Sequence, residues 1–225
     1  MTELMHILNR GVDKRKIFMD KQDHLRFIHD LYEFNDVNNI YNTRHHIHQL
    51  NNPNAKKQLK PRQKIVDILA FCLMPNHYHL LLSPRIEKAV TLFMKKIGTG
   101  YANYFNQKYK RSGTLFEGRY KSILITDEKH FIHLPYYIHL NPLDLCSPEW
   151  RERIIPEPEK SIEFLENYRW SSHLDYIGKK NFPSVTNRNL LIEYFNGSER
   201  YKKSIHEWII NMKNNFNLIK QVTLE

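Results

Sequence analysis

Two histidines, His77 and His79, stand two residues apart in the stretch ILAFCLMPNHYHLLLSP from Ile68 to Pro84, between two apolar runs joined by Met74-Pro75-Asn76. Side chains alternate along a strand, so both imidazoles share one face and Tyr78 takes the other. Two such imidazoles on a rigid strand can hold one metal ion; taken alone they fit equally well as structural histidines bonded to carbonyls at a sheet edge. Further along, Tyr137 and Asn141 stand four apart in DEKHFIHLPYYIHLNP, a spacing that stacks them on one face of a helix. Tyr136 cannot share that face with Asn141, because five residues is well off one turn. A helix tyrosine is usually a packing residue. Beside two histidines, however, the asparagine carbonyl oxygen could complete a three-point clamp with positions left open for phosphate oxygens and water. Such a mixed nitrogen and oxygen set suits Mg²⁺ or Mn²⁺ better than a closed structural Zn²⁺. A cation there polarises a phosphodiester, and the Tyr137 phenol is a nucleophile that could attack it and stay bonded. A phosphotyrosine keeps the energy of the broken bond, so this chemistry is strand transfer rather than simple hydrolysis.

The composition names the partner class. Lys and Arg number 34 against 24 Asp and Glu, a net charge of +10 with a pI near 9.5, which suits a polyanion because neutralising phosphates releases counterions. An anionic membrane surface competes poorly, since the basic residues are dispersed and no segment is apolar enough to span a bilayer. MTELMHILNRG lacks the pattern of a signal peptide, and two cysteines, Cys72 and Cys146, make no disulfide framework; reduced thiols in a cytoplasmic protein are the expectation. With only 7 Gly, and with Gly98-Thr99-Gly100 lacking the Lys and Ser/Thr of a phosphate loop, no nucleotide cofactor is expected.

The elements that must position these residues read in order. Leu4 to Leu8 is a short strand ending at Asn9-Arg10-Gly11. Asp20 caps a helix whose apolar residues are Leu25, Ile28, Leu31 and Tyr32. Residues 35–62 form a long polar insertion whose His45, His46 and His48 fit a solvated loop touching nucleic acid better than a second metal site. Ile65 to Leu73 and His77 to Ser83 form a hairpin with the histidines near its tip. After Pro84, helical spacing of Val90, Phe93, Met94, Ile97, Tyr101, Tyr104 and Phe105 is sustained across the Gly-Thr-Gly interruption. The opposite face carries Lys88, Lys95, Lys96, Lys108 and Lys110, which with Arg111 reads as a phosphate-tracking surface. LFEGRYKSILIT alternates as a strand with Arg119 and Lys121 on one face. Thr126 or Asp127 caps the tyrosine helix, which Pro135 kinks or restarts. The order β-α-β-β-α-β-α predicts an α+β, ferredoxin-like sandwich with an antiparallel sheet (βαββαβ), then a nucleophile helix. Residues 1–146 form that core. Residues 147–225 are a linker or edge-hugging loop at 147–158 and a helical extension packing on the core through NYRWSSHLDYIG, with helices at Arg188 to Phe195 and Glu199 to Met212.

LMPNHYHLLL resembles the HUH motif of single-tyrosine transposases, and YIHLNP, from Tyr137 to Pro142, resembles their nucleophile helix. HILNRGVDKRKIF, MKKIGTGYANYFNQKYKRSGTLFEGRYKS and YRWSS are similar to further family segments in the same order, so the resemblance covers most of residues 1–178. Within the superfamily the chain resembles the REP-associated tyrosine transposases. The resemblance implies a divalent metal held by His77, His79 and Asn141, with Tyr137 attacking single-stranded DNA to give a 5′-phosphotyrosine and a free 3′-hydroxyl. It also implies hairpin-bearing DNA, such as REP-like palindromes, as substrate. Arg10, Arg119 and Lys121 fall in the matching motifs as backbone contacts, joined by Lys95 and Lys96 of the basic helix face. The chain acts as a monomer or a homodimer. A catalytically silent, domesticated hairpin-binding protein is the alternative, disfavoured because a pure binder needs no metal clamp. An unrelated metal hydrolase would need a general base, and the nearest carboxylates, Asp67 and Glu87, are poorly placed.

Overall fold

The computed structural model describes residues 3–38 and 62–212, apart from the side chains at 128 and 129; the expectations for His45, His46 and His48 therefore lie outside the described residues. Strands β1 (Leu4–Arg10), β2 (Val66–Met74), β3 (His77–Pro84) and β4 (Lys121–Ile125) form one antiparallel sheet in the order β2-β3-β1-β4. Helix α1 (Lys21–Glu33) follows β1, α2 (Ala89–Lys108) follows β3 and α3 (Glu128–Leu140) follows β4. This is the expected ferredoxin-like βαββαβ sandwich with a further helix behind it.

Strand alternation sorts the core into two sides. Ile7, Phe71, Leu73, Tyr78, Leu80 and Leu82 meet α1 and α2. Leu4, Ala70, Cys72, Met74 and Leu81 meet α3 and the C-terminal extension. Pro75 and Asn76 turn the chain between β2 and β3, and the segment after β1 clasps that tip. Ile17 and Phe18 donate to the Pro75 carbonyl at 2.8 and 3.1 Å, and Gly11 donates to that of Asn76 at 2.8 Å.

In α1, Asp20 and Asp23 form a capping box, and the inward face is His24, Phe27, Ile28 and Leu31. Leu25 and Tyr32, expected inside, are exposed. The buried set repeats at i, i+3, i+4 and i+7, and those two residues fall at its margin. Helix α2 runs unbroken through Gly98-Thr99-Gly100. A Cβ at Gly100 meets the Phe34 ring at 2.3 Å, whereas one at Gly98 meets nothing. Gly98→Ala is therefore expected to stabilise the protein by about 0.5–1 kcal/mol through helix propensity. Gly100→Ala is expected to destabilise it by roughly 1–3 kcal/mol through overpacking. Urea titrations of the two variants check both signs.

Helix α3 is continuous through Pro135, which forfeits one intrahelical bond without ending the helix. Asn141 opens a following 3-10 turn (Asn141–Leu145) rather than closing the helix. Residues 147–158, expected as a linker or an edge-hugging loop, begin with a 3-10 helix (Pro148–Glu152) whose Trp150 is buried and donates to Asp144 at 2.6 Å. Helices α4 (Pro158–Asn167), α5 (His173–Tyr176), α6 (Asn189–Tyr194) and α7 (Ser198–Ile210) complete the extension. Its Trp170-Ser171-Ser172 stretch runs along β2: Leu73 donates to the Trp170 carbonyl at 2.9 Å and Ser172 to that of Phe71 at 3.0 Å. That covers a sheet edge that would otherwise stand open. His139, on α3, is bonded to the hydroxyls of Tyr201 at 2.6 Å and Ser172 at 2.7 Å, and burial holds its pKa well below the usual histidine range. Among the described residues no helix is long and apolar enough to cross a membrane.

Candidate active site

His77 and His79 open β3 and are both buried on the α3 side of the sheet. Residues paired across antiparallel strands share a face, so His79 stands in a row with Cys72, Leu8 and Lys121, and His77 in a row with Met74 and Arg10. The two rings lie 5.1 Å apart at 84°. His77 Nδ1 is 2.7 Å from Asn76 Oδ1. The Asn76 amide nitrogen donates to the Lys14 carbonyl at 3.3 Å, which turns its oxygen toward the histidine. A carbonyl oxygen only accepts, so in the neutral ring this bond puts the proton on Nδ1 and the lone pair on Nε2. His79 Nδ1 is 3.0 Å from Nε2 of His6 on β1, and the two rings stack at 5.2 Å.

Helix α3 lies across this face. The Tyr137 ring stands edge-on to His79 at 5.6 Å and to His6 at 6.1 Å. The Asn141 amide nitrogen donates to the Tyr137 carbonyl at 2.9 Å. Arg151, from the Pro148–Glu152 turn, reaches both groups: one terminal nitrogen lies 3.4 Å from the Tyr137 hydroxyl and the other 3.3 Å from Asn141 Oδ1. Asp144 holds that guanidinium at 2.8 and 2.7 Å. Tyr136 points to the other side, stacked on Tyr201 at 5.3 Å beside Phe195 and Trp208. Burial there pushes its hydroxyl up to about 12.

Among the described residues no group of three or more His, Cys, Asp or Glu is placed to hold a metal. The candidate donors on this side of the sheet are the imidazole nitrogens of His77 and His79 and, on the helix that brings Tyr137 to His79, the amide oxygen of Asn141. By its chemistry this set fits a hard divalent cation with open positions and does not fit a closed structural zinc site.

Arg10 and Lys121 share the histidine face, Arg10 beside His77 and Lys121 on edge strand β4. Arg119 does not sit on a strand as expected. β4 begins only at Lys121, and Arg119 is exposed in the irregular run before it, over the Tyr120 ring at 5.4 Å. Lys95 and Lys96 are not brought to the site. Their helix packs on the opposite side of the sheet, and the Lys96 ammonium donates to the Asp36 carbonyl. Lys108 leaves the proposed phosphate-tracking face as well, since it is bonded to Asp20 and Asp23. The sequence reading missed His6 and Arg151. His6 left a trace, an imidazole among apolar residues in the Leu4, His6, Leu8 alternation, but Arg151 stands in a Pro- and charge-rich run with no periodicity to flag it.

Residues 40–141 match the family model described as "Transposase IS200 like". No curated protein matches the chain. Among solved structures, a REP-associated tyrosine transposase bound to a REP hairpin is 12% identical, with a TM-score of 0.44 over 83% of this chain and 85% of that one. The family match contains His77, His79, Tyr137 and Asn141, and over residues 40–141 the chain is similar to the IS200-like transposases.

Proposed function

We propose that this protein is a metal-dependent single-stranded DNA endonuclease and strand transferase that cuts hairpin-bearing DNA through Tyr137. The observation that carries the reading is the Tyr137 ring set edge-on to His79, on the same side of the sheet and within one chain. That supports a site completed in cis, for which a monomer suffices. The net charge of +10 supports a nucleic-acid substrate. The motif resemblance supports hairpins of the REP-like kind.

In this mechanism His77, His79 and Asn141 would hold a Mg²⁺ or Mn²⁺ ion, whose chemistry would be to polarise the scissile phosphate. The Tyr137 oxygen attacks phosphorus, the bond to the 3′ oxygen breaks, and the phenol proton leaves to water while the released 3′ oxygen takes one up. The products are a 5′-phosphotyrosine and a free 3′-hydroxyl; attack by another 3′-hydroxyl reverses the exchange and joins a new strand. Arg151 keeps a fixed cation beside the phenol oxygen and is placed to pair with phosphate oxygens as negative charge builds on them. Arg10, beside His77, is the nearest strand residue for holding the DNA backbone.

The test is incubation of the protein with a panel of labelled, hairpin-tailed single strands and Mn²⁺, read on a denaturing gel. A protein–DNA adduct that forms with Mn²⁺ and vanishes with EDTA is the expected result. Hairpin binding without any adduct across the panel would instead favour the silent binding protein.

A further inference from the structure

We infer that His6 and Asn76 are positioning residues that set which nitrogen of His79 and of His77 faces the cation; this rests on the proposed metal site. A neutral imidazole has one protonated and one lone-pair nitrogen, and only the latter can coordinate. Both histidines have Nδ1 engaged by a protein group, at 2.7 Å for His77 and 3.0 Å for His79. Asn76 presents a carbonyl oxygen, so His77 is confined to the tautomer that coordinates through Nε2.

The His6–His79 pair has two proton arrangements. With the proton on His79 Nδ1, His6 Nε2 accepts it and His79 Nε2 is left as a ligand. With the proton on His6 Nε2, His79 Nδ1 accepts and its Nε2 carries hydrogen, which bars coordination. A cation selects the first arrangement, and His6 then orients the ring by hydrogen bond and by stacking. His6 stands between two apolar residues in its row of β1. Its strand neighbours on that face are Leu4 and Leu8, and an apolar side chain satisfies the same alternation, yet His6 is fully buried with its ring also edge-on to Tyr137 at 6.1 Å. Burying a polar ring is costly unless it is bonded, and His6 is bonded to His79.

The experiment titrates the full chain with Mn²⁺ alone and follows the free-ion signal by electron paramagnetic resonance, without DNA and without turnover. His6→Leu and Asn76→Ala are each expected to weaken Mn²⁺ binding 10- to 100-fold, the usual cost of removing such a partner. His6→Gln and Asn76→Asp keep an oxygen acceptor for the Nδ1 proton and are expected to restore most of the affinity. His77→Ala is expected to abolish it. If His6→Leu and Asn76→Ala bind within about twofold of wild type, or the two conservative variants bind no better than they do, the positioning role is overturned. If wild type binds no Mn²⁺ at the site His77→Ala removes, the metal reading itself falls. Asn76 is only partly buried at the hairpin tip, so its variants report even where His6→Leu fails to fold.

Discussion

Tyr137→Phe is expected to abolish the covalent protein–DNA adduct, and Tyr136→Phe to leave it intact. The two tyrosines are adjacent in sequence and turned to opposite sides of α3: one meets His79, His6 and Arg151, the other Tyr201, Phe195 and Trp208. A phenylalanine keeps the ring and its edge-on packing and removes only the attacking oxygen, so the fold survives while the nucleophile does not. The hydroxyl lost at position 137 makes a long 3.4 Å bond to Arg151, and its removal should cost no more than about 1 kcal/mol of stability. Loss of a nucleophile costs on the order of 10⁴ or more in rate. Labelled hairpin DNA on denaturing gels reads the adduct, and near-ultraviolet circular dichroism checks the fold. An adduct that persists in Tyr137→Phe, or disappears in Tyr136→Phe, rejects the assignment of the nucleophile.

Asp23→Ala should cost about 3–5 kcal/mol, enough to unfold a protein of ordinary marginal stability under mild denaturant. The Asp23 carboxylate is fully buried where the start of α1 meets the end of α2. It accepts from Lys108 at 2.6 Å, the hydroxyls of Tyr109 at 2.7 Å and Tyr104 at 3.0 Å, and the backbone of Met19 at 2.8 Å. Alanine strands the two tyrosine hydroxyls and the Met19 N–H and leaves Lys108 with Asp20 as its carboxylate partner, and the penalty is that of the groups left unpaired. Burial alone would raise the carboxyl pKa; the bonds from Lys108, Tyr109, Met19 and Tyr104 outweigh it and hold the group below its usual 3.8. A carboxyl depressed on folding stabilises the protein above its unfolded pKa. That share of stability is lost as pH falls below about 4 toward the folded value. Urea midpoints measured from pH 7 down to 3 should fall over that window in wild type, and the Asp23 share of the slope should be missing in Asp23→Ala. A midpoint for Asp23→Ala close to that of wild type at pH 7 rejects the cluster as a stabilising pin.

What the sequence determined by itself is what a few neighbouring residues decide. The alternation of HYHLLL together with Pro75-Asn76 made the hairpin, and with it the shared face of His77 and His79; the spacing of four put Tyr137 and Asn141 on one side of their chain segment; Asp20 capped α1. Where local signals were ambiguous, neighbouring structure ruled. Pro135 neither broke nor restarted α3, and the run Leu115 to Tyr120 contributes an isolated antiparallel bridge, Phe116 with Gly11, before β4 begins at Lys121. Only the tertiary structure decided which groups complete the constellation and which are spent elsewhere. His6 meets His79 because β1 is the strand beside β3, and Arg151 meets Tyr137 because the turn after α3 folds back on it. Lys96 and Lys108, indistinguishable in sequence from free surface cations, are taken up by Asp36 and by the Asp20–Asp23 cap. Periodicity and capping act over one or two turns of chain. A contact between distant residues depends on which strands pair, in what register, and on which face each helix lands, and no short stretch carries that information.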